Sequence, residues 1–316
     1  MQSNRSPLIL IVGPTAVGKT ELAIQLAERY PSGGEIVSAD SRLFYRSMDI
    51  GTAKPTREEQ ARVPHHLIDI ADPDEILSLA VFQQKAREAM DDIYTRNKIP
   101  FIVGGTGQYI RAVIEGWNPP EVKPDERLRN ELEKIKEEKG VYWLYEKLKN
   151  LDPIAAEKID PRNYRRTIRA LEVILTTGRR FSEQRGQSES PYHLITIGLT
   201  RPRPELYDRV DQRIEAMFAN RFLDEVKSLL ANGYSPSLPT MSAIGYRECI
   251  RVVKGELNEE QAKAEIRRAT RVFVRRQANW FKESDPNIKW FRVKARVVEE
   301  IEAYIGNAAG DGGLSF

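Results

Sequence analysis

The residue pattern predicts an α/β protein in which a parallel-sheet core carries an inserted helical domain and a mostly helical C-terminal region. Three observations predict it. Short apolar runs alternate with amphipathic helical stretches between residues 8 and 103, the rhythm of a parallel sheet. A charged, helix-patterned block then interrupts that rhythm. One more apolar run, Leu194–Leu199, returns before the helical remainder.

Leu8–Val12 (LILIV) is short and uniformly apolar, as a strand buried on both faces must be. Thr20–Tyr30 follows with Leu22, Leu26, Ala27 and Tyr30 at helical spacing, and Pro31-Ser32-Gly33-Gly34 stops it. Glu35–Ala39 and His66–Ile70 read as the next two strands. Leu79–Asn97 is helical, with Phe82, Ala86, Ala89 and Ile93 on one face, and Pro100–Val103 is a further strand. Past Trp117-Asn118-Pro119-Pro120 come charged helices over Asp125–Lys139, Val141–Asn150 and Tyr164–Thr177, the last closed by Gly178. Gly186–Ser190 reads as a polar linker. From Arg203 the pattern is mostly helical, with an amphipathic run Glu259–Lys282, a short strand Lys289–Val293 and a last helix Val297–Tyr304. The expected organisation is a core of residues 1–118 and 193–306, a helical insertion over 119–192, and a Gly-rich, flexible tail over 307–316.

At 316 residues the chain can bury a core without staples. Its single cysteine, Cys249, excludes a disulfide framework and a cysteine-rich zinc site. The adjacent His65 and His66 have no cysteine or third histidine nearby, so packing or a turn is the expectation for them. No apolar run approaches the ~18 residues of a membrane span, and the polar start Met1–Ser6 lacks a signal-peptide core. The expectation is a cytoplasmic monomer without membrane association. Lys and Arg total 49 against 46 Asp and Glu, so the charge balance neither demands nor excludes nucleic acid.

Residues 13–20, Gly13-Pro14-Thr15-Ala16-Val17-Gly18-Lys19-Thr20, form the pattern G-x-x-x-x-G-K-T between the first strand and the first helix. Glycines let such a loop turn its N–H groups onto a diphosphate, the lysine adds a cation, and the threonine hydroxyl can hold Mg²⁺. The following helix aims its positive end at the same anion. The core is therefore expected to be P-loop NTPase/kinase-like. The loop specifies diphosphate, not hydrolysis. A metal-binding aspartate closing an apolar strand has two candidates: Asp40 after Ile36–Ala39, and the less well patterned Asp69. Asp40 lies at the carboxyl end of its strand, the edge where open α/β sheets bind ligands. A carboxylate there can take a proton or hold a metal; Asp is equally a good helix N-cap.

The chain resembles the tRNA dimethylallyltransferase (tRNA isopentenyltransferase, IPP transferase) family. The resemblance rests on Gly13–Thr20, Asp40–Tyr45 (DSRLFY), Met48–Pro55 (MDIGTAKP), His65–Asp69 (HHLID), Gly104–Tyr109 (GGTGQY), Arg169–Val173 (RALEV), Ile244–Glu248 (IGYRE) and Arg276–Trp280 (RQANW). These pieces fall in the family's order across about 13–282. Gln108 and Arg221 depart from its usual residues, and Leu43 is one of several tolerated. Arg221, where glycine is common, puts a local helix end in doubt.

The resemblance implies transfer of the dimethylallyl group from dimethylallyl diphosphate to the exocyclic N6 amine of the adenosine 3′ to the anticodon in tRNA, releasing diphosphate. It implies Asp40 as general base, with Thr20 and Arg213 beside it at the catalytic centre. Thr15, Thr20 and Arg213 are implied on the diphosphate, and Thr20 on Mg²⁺. Asp40, Ser41, Arg42, Leu43, Thr106, Arg129, Ser242, Gly245, Tyr246 and Arg247 are implied to face tRNA. The anticodon stem-loop would also meet two basic clusters. One is Arg162, Arg165, Arg166 and Arg169. The other is Lys263–Lys282, seven basic residues against one acid, which includes Arg271, Arg275 and Arg276. There Arg268, Arg271 and Arg275 are expected on one face, with Ile266, Phe273 and Trp280 on the other. Charge runs are usually solvated faces, so the clusters alone leave that reading open. Two rivals use the same loop: a small-molecule kinase using ATP, and an RNA-binding module with a vestigial loop.

Overall fold

The computed structural model describes residues 5–117, 122, 125–184 and 189–310. The chain divides into two compact units, Met1–Ile114 with Pro191–Phe316, and Glu115–Ser190.

The first unit is built on six parallel strands: β1 (Ser6–Val12), β2 (Gly34–Ser38), β3 (His65–His66), β4 (Ile99–Val103), β5 (Tyr192–Thr200) and β6 (Lys289–Arg292), in the order β3-β2-β4-β1-β5-β6. β1 is central, pairing Ile9 with Phe101 of β4 on one side and Ile9 with Ile195 of β5 on the other. Its side chains alternate between two cores. Leu8, Leu10 and Val12 pack in one core with residues of α3 (Leu79–Thr95), α4 (Gly107–Ile114), α10 (Phe222–Ala231) and α11 (Tyr246–Val253). Ile9 and Ile11 pack in the other with residues of α1 (Lys19–Arg29), α9 (Arg203–Ala219), α12 (Glu259–Gln277) and α13 (Val297–Gly310). Burial on both faces is what the unbroken apolar run of β1 requires. A short helix α2 (Arg57–Arg62) precedes β3, opened by a capping box between Thr56 and Glu59.

The second unit holds α5 (Glu126–Lys139), α6 (Val141–Leu151), α7 (Pro153–Glu157) and α8 (Tyr164–Thr177), around a core that includes Leu132, Leu144, Leu148, Ile168 and Leu171. Its buried Glu172 accepts a bidentate pair from Arg129 (2.9 Å at each oxygen), a bond from Arg169 (2.7 Å) and the Asp125 N–H (2.7 Å). Burial opposes that charge. The guanidiniums and the N–H more than offset it, and the carboxyl stays below its ordinary range.

Several boundaries differ from the sequence reading. The strand expected over His66–Ile70 is only His65–His66, because Leu67 and Asp69 take left-handed backbone (φ 62° and 56°) that ends the ladder. The basic helix stops at Gln277, not Lys282. Tyr192, expected in the insertion, opens β5. Residues 307–310, expected in a frayed tail, continue α13, while 311–316 lie outside the described residues. Of the expected linker, 186–188 also lie outside them.

Candidate active site

At the carboxyl edge of β1, β2 and β4 the chain encloses a cavity of about 380 Å³, lined by Thr15, Ala16, Gly18, Lys19 and Thr20 of the loop, by Asp40 and Leu43, and by Arg209 and Arg213 of α9. The loop's conformation depends on Gly13. It sits at φ 147°, and a Cβ there would lie 2.6 Å from the Leu199 carbonyl of β5. Val17 is fully buried and anchors the loop in the core. The loop's carbonyls are covered by cations. Lys19 Nζ donates to Gly13 (3.1 Å) and Pro14 (2.9 Å), Arg209 to Ala16 (2.8 Å), and Arg201 to Val17 (3.0 Å). Arg213 reaches Thr15 Oγ1 at 3.5 Å.

Lys19, Arg213 and Asp40 form one electrostatic group. Desolvation pulls the Lys19 ammonium down to about 8, Asp40 raises it and Arg213 lowers it. Arg213 is also depressed, by desolvation first, with Asp40 opposing. The site thus concentrates positive charge that an anion would relieve.

Asp40 is not a helix cap. No helix follows it; its Oδ1 accepts the Arg42 N–H (3.1 Å) in a turn, and its own N–H donates to Ser38 Oγ (3.3 Å). The carboxylate lines the cavity, and the turn engages only its Oδ1. Asp69, the other carboxylate considered for metal, pairs with Lys54 (2.5 Å), which also holds Asp49 (2.5 Å) and the Tyr45 carbonyl (2.9 Å). The lysine of GTAKP therefore ties two loops together.

The sequence missed several cavity residues. Arg209 precedes Arg213 by one helical turn, a spacing that could have revealed it. Thr52, Ala53 and Pro55 of GTAKP, with Ile36, His65 and Ile68, line the rest. His65 Nδ1 meets the Val63 carbonyl (2.7 Å), so Nδ1 carries the proton, and burial lowers its pKa. His66 pairs with Glu35 (2.7 Å).

The residues expected to face tRNA fare unequally. Ser41, Arg42 and Leu43 are half-buried beside Asp40, and Thr106 is half-buried just before α4. Ser242 and Arg247 are exposed, as are Arg165 and Arg166. Gly245 is buried and its N–H donates to Glu248 (2.8 Å). Tyr246 must be corrected. Its side chain is fully buried and its hydroxyl donates to Glu225 (2.6 Å), which also takes the N–H groups of Asp49, Ile50 and Gly51. Arg129 and Arg169 are half-buried, and both guanidiniums pair with Glu172.

The basic helix is also less free than its composition suggests. Lys263 and Arg267 pair with Glu215 of α9, and Arg271 pairs with Asp211 (2.6 Å) while stacking on Tyr207 (5.1 Å). Arg271 therefore holds α12 to α9. Arg268, Arg275 and Arg276 are exposed, Arg275 reaching Tyr207 Oη at 3.5 Å. Ile266 is buried as expected, but Phe273 and Trp280 are exposed.

A family model described as IPP transferase matches residues 43–284, and one described as isopentenyl transferase matches residues 6–70. A tRNA dimethylallyltransferase from Roseiflexus sp. (strain RS-1) is 54% identical over 282 residues, covering 89% of this chain and 92% of that protein. Among solved structures, a full-length tRNA isopentenylpyrophosphate transferase from Bacillus halodurans is 42% identical with a TM-score of 0.73, covering 98% of both chains. A eukaryotic dimethylallyltransferase acting on tRNA is 26% identical with a TM-score of 0.77, covering 97% of this chain and 79% of the other.

Proposed function

Because the chain belongs to the IPP transferase family, we propose that its cavity moves the dimethylallyl group of dimethylallyl diphosphate onto the N6 amine of the adenosine 3′ to the anticodon in tRNA. The observation that carries this reading is the placing of Lys19, Thr15, Thr20, Arg213 and Asp40 around one cavity.

The diphosphate lies on the loop, opposite Lys19 and Arg213. As the allylic C–O bond lengthens, the carbon becomes cationic and the leaving oxygen gains charge. Lys19 and Arg213 hold that charge best when it is fully developed, which lowers the barrier. Neither cation is well solvated, so each interacts more strongly than in water. The adenine amine attacks the allylic carbon, a C–N bond forms as the C–O bond breaks, and the amine proton passes to Asp40. Diphosphate leaves.

Among the described residues no three His, Cys, Asp or Glu side chains gather as a metal site. That suits Mg²⁺, which binds through one or two protein oxygens and substrate phosphates. Thr20 would hold it, and it would neutralise charge on the diphosphate. For tRNA, the exposed Arg275 and Arg276 of α12, Arg247 of α11, and Arg165 and Arg166 of the helical unit supply phosphate contacts. The target base leaves its stack to reach the cavity. Among the described residues no helix is long and apolar enough to cross a membrane.

The test is mass spectrometry of tRNA incubated with dimethylallyl diphosphate and the parent or Lys19→Ala protein. The parent should add one five-carbon group to that adenosine, and the variant should not while still binding tRNA. Transfer at the parental rate by Lys19→Ala would refute the diphosphate assignment.

A further inference from the structure

One buried side chain joins the phosphate loop to the turn at the end of β4. Gln277, the last residue of α12, accepts the Thr15 N–H at 2.7 Å through Oε1 and donates from Nε2 to the Gly105 carbonyl at 3.3 Å. The two partners fix its orientation, since an N–H can only donate and a carbonyl can only accept. Thr15 lines the cavity, and its Oγ1 is reached by Arg213 at 3.5 Å. Gly105 belongs to the turn Gly104-Gly105-Thr106, and Gly104 lines the same cavity. The fit is close: a Cβ on Gly105 would lie 2.2 Å from Gln277 Nε2. The residues before Gln277 are the exposed Arg275 and Arg276.

We propose that Gln277 is a positioning residue that sets the distance between donor and acceptor. It rests on the reading above, in which the loop holds the prenyl diphosphate, and on Thr106 of the turn, which the family resemblance implies to face tRNA. Gln277 spans the gap between the two. With both of its bonds made, the loop and the turn cannot slide apart, and the allylic carbon stays within reach of the adenine amine. Reaction rates depend steeply on such spacing, and a displacement of about 1 Å can cost about 10²-fold. Binding of each substrate should depend on it less, because both bonds of Gln277 are made within the protein.

The test is single-turnover transfer with both substrates saturating, together with the KM for each, for Gln277→Met, Gln277→Glu and Gly105→Ala. Gln277→Met keeps the bulk and removes both bonds. It should lower kcat by about 10- to 100-fold, with both KM values within about threefold of the parent. Gln277→Glu can still accept from Thr15 but sets a negative charge beside the diphosphate, so it should also raise the donor KM. Gly105→Ala leaves Gln277 in the sequence but displaces its amide, and should reproduce the Met variant's kcat loss even if that variant folds poorly. Parental kcat in the Met and Ala variants, or a loss confined to the donor KM, would overturn the proposal. Failure of the parent to transfer a prenyl group would instead refute the proposed function.

Discussion

Replacing Asp40 by Asn removes a proton acceptor and also changes Lys19. Asn keeps the size of the side chain and can still accept the Arg42 N–H, so the turn should survive. General-base catalysis is typically worth about 10²–10⁴-fold, and loss of the base should lower kcat by that much. The second effect follows from the charges. With the ammonium near 8, about 90% of Lys19 is protonated at pH 7 and about 10% at pH 9. The affinity for diphosphate should therefore fall as pH rises through 8 in the parent. Asp40 is the influence that raises Lys19. Without it the ammonium is lost at lower pH, and the alkaline fall in donor affinity should shift downward. The assay is single-turnover transfer near pH 6.5, where Lys19 keeps its charge, combined with donor binding from pH 6 to 9.5 and a Mg²⁺ titration. A rate near the parent's at pH 6.5 would remove Asp40 as the base. Recovery of the rate with added Mg²⁺ would make it a metal ligand instead. An alkaline limb that stays put or moves upward would refute the coupling to Lys19.

The other expectations concern RNA binding and the scaffold. Arg276→Ala should weaken tRNA binding and reduce the log–log salt slope by about one, whereas Arg271→Ala should leave the slope alone and cost about 1–3 kcal/mol of stability, because it strands Asp211; salt-dependent binding and urea unfolding separate the two. Arg221 holds a left-handed φ of 70° at the start of α10, so Arg221→Gly should stabilise the protein by about 1 kcal/mol, seen as a higher urea midpoint at unchanged slope. Glu172→Gln should cost about 3–5 kcal/mol, read from the unfolding of the helical unit. Since the Glu172 pKa is depressed by folding, its contribution is present above its ordinary value of 4.5 and is lost as pH falls through the lower folded value. An acid limb unchanged in Glu172→Gln would contradict this.

The strands of the sheet were legible because burial on both faces leaves an unbroken apolar run, as in Leu8–Val12. The phosphate loop was legible because its chemistry needs fixed residues at fixed spacing. His66–Ile70 misled because alternation in HLIDI is independent of φ, and two residues there turn left-handed. Charge misled for a similar reason. A run of arginines is visible in sequence, but its neutralising partners, Asp211 and Glu215, lie on another helix. Tyr246 sits in a family motif and looked available, whereas Glu225 commits it to the core. Gln277 stood within the family motif Arg276–Trp280, but its role was not legible, because a glutamine's role depends on which two groups it meets.

The position of β1 has a consequence for synthesis on the ribosome. One edge of this strand pairs with β4, but the other pairs with β5, which begins only at Tyr192. Until that segment emerges, an apolar strand edge stays open on the nascent chain, a surface prone to wrong pairing. Leu199, against which Gly13 packs, is also missing until then. The helical unit is thus translated in full before the loop can take its shape. A fragment that stops short of Thr200 contains the motif without the site.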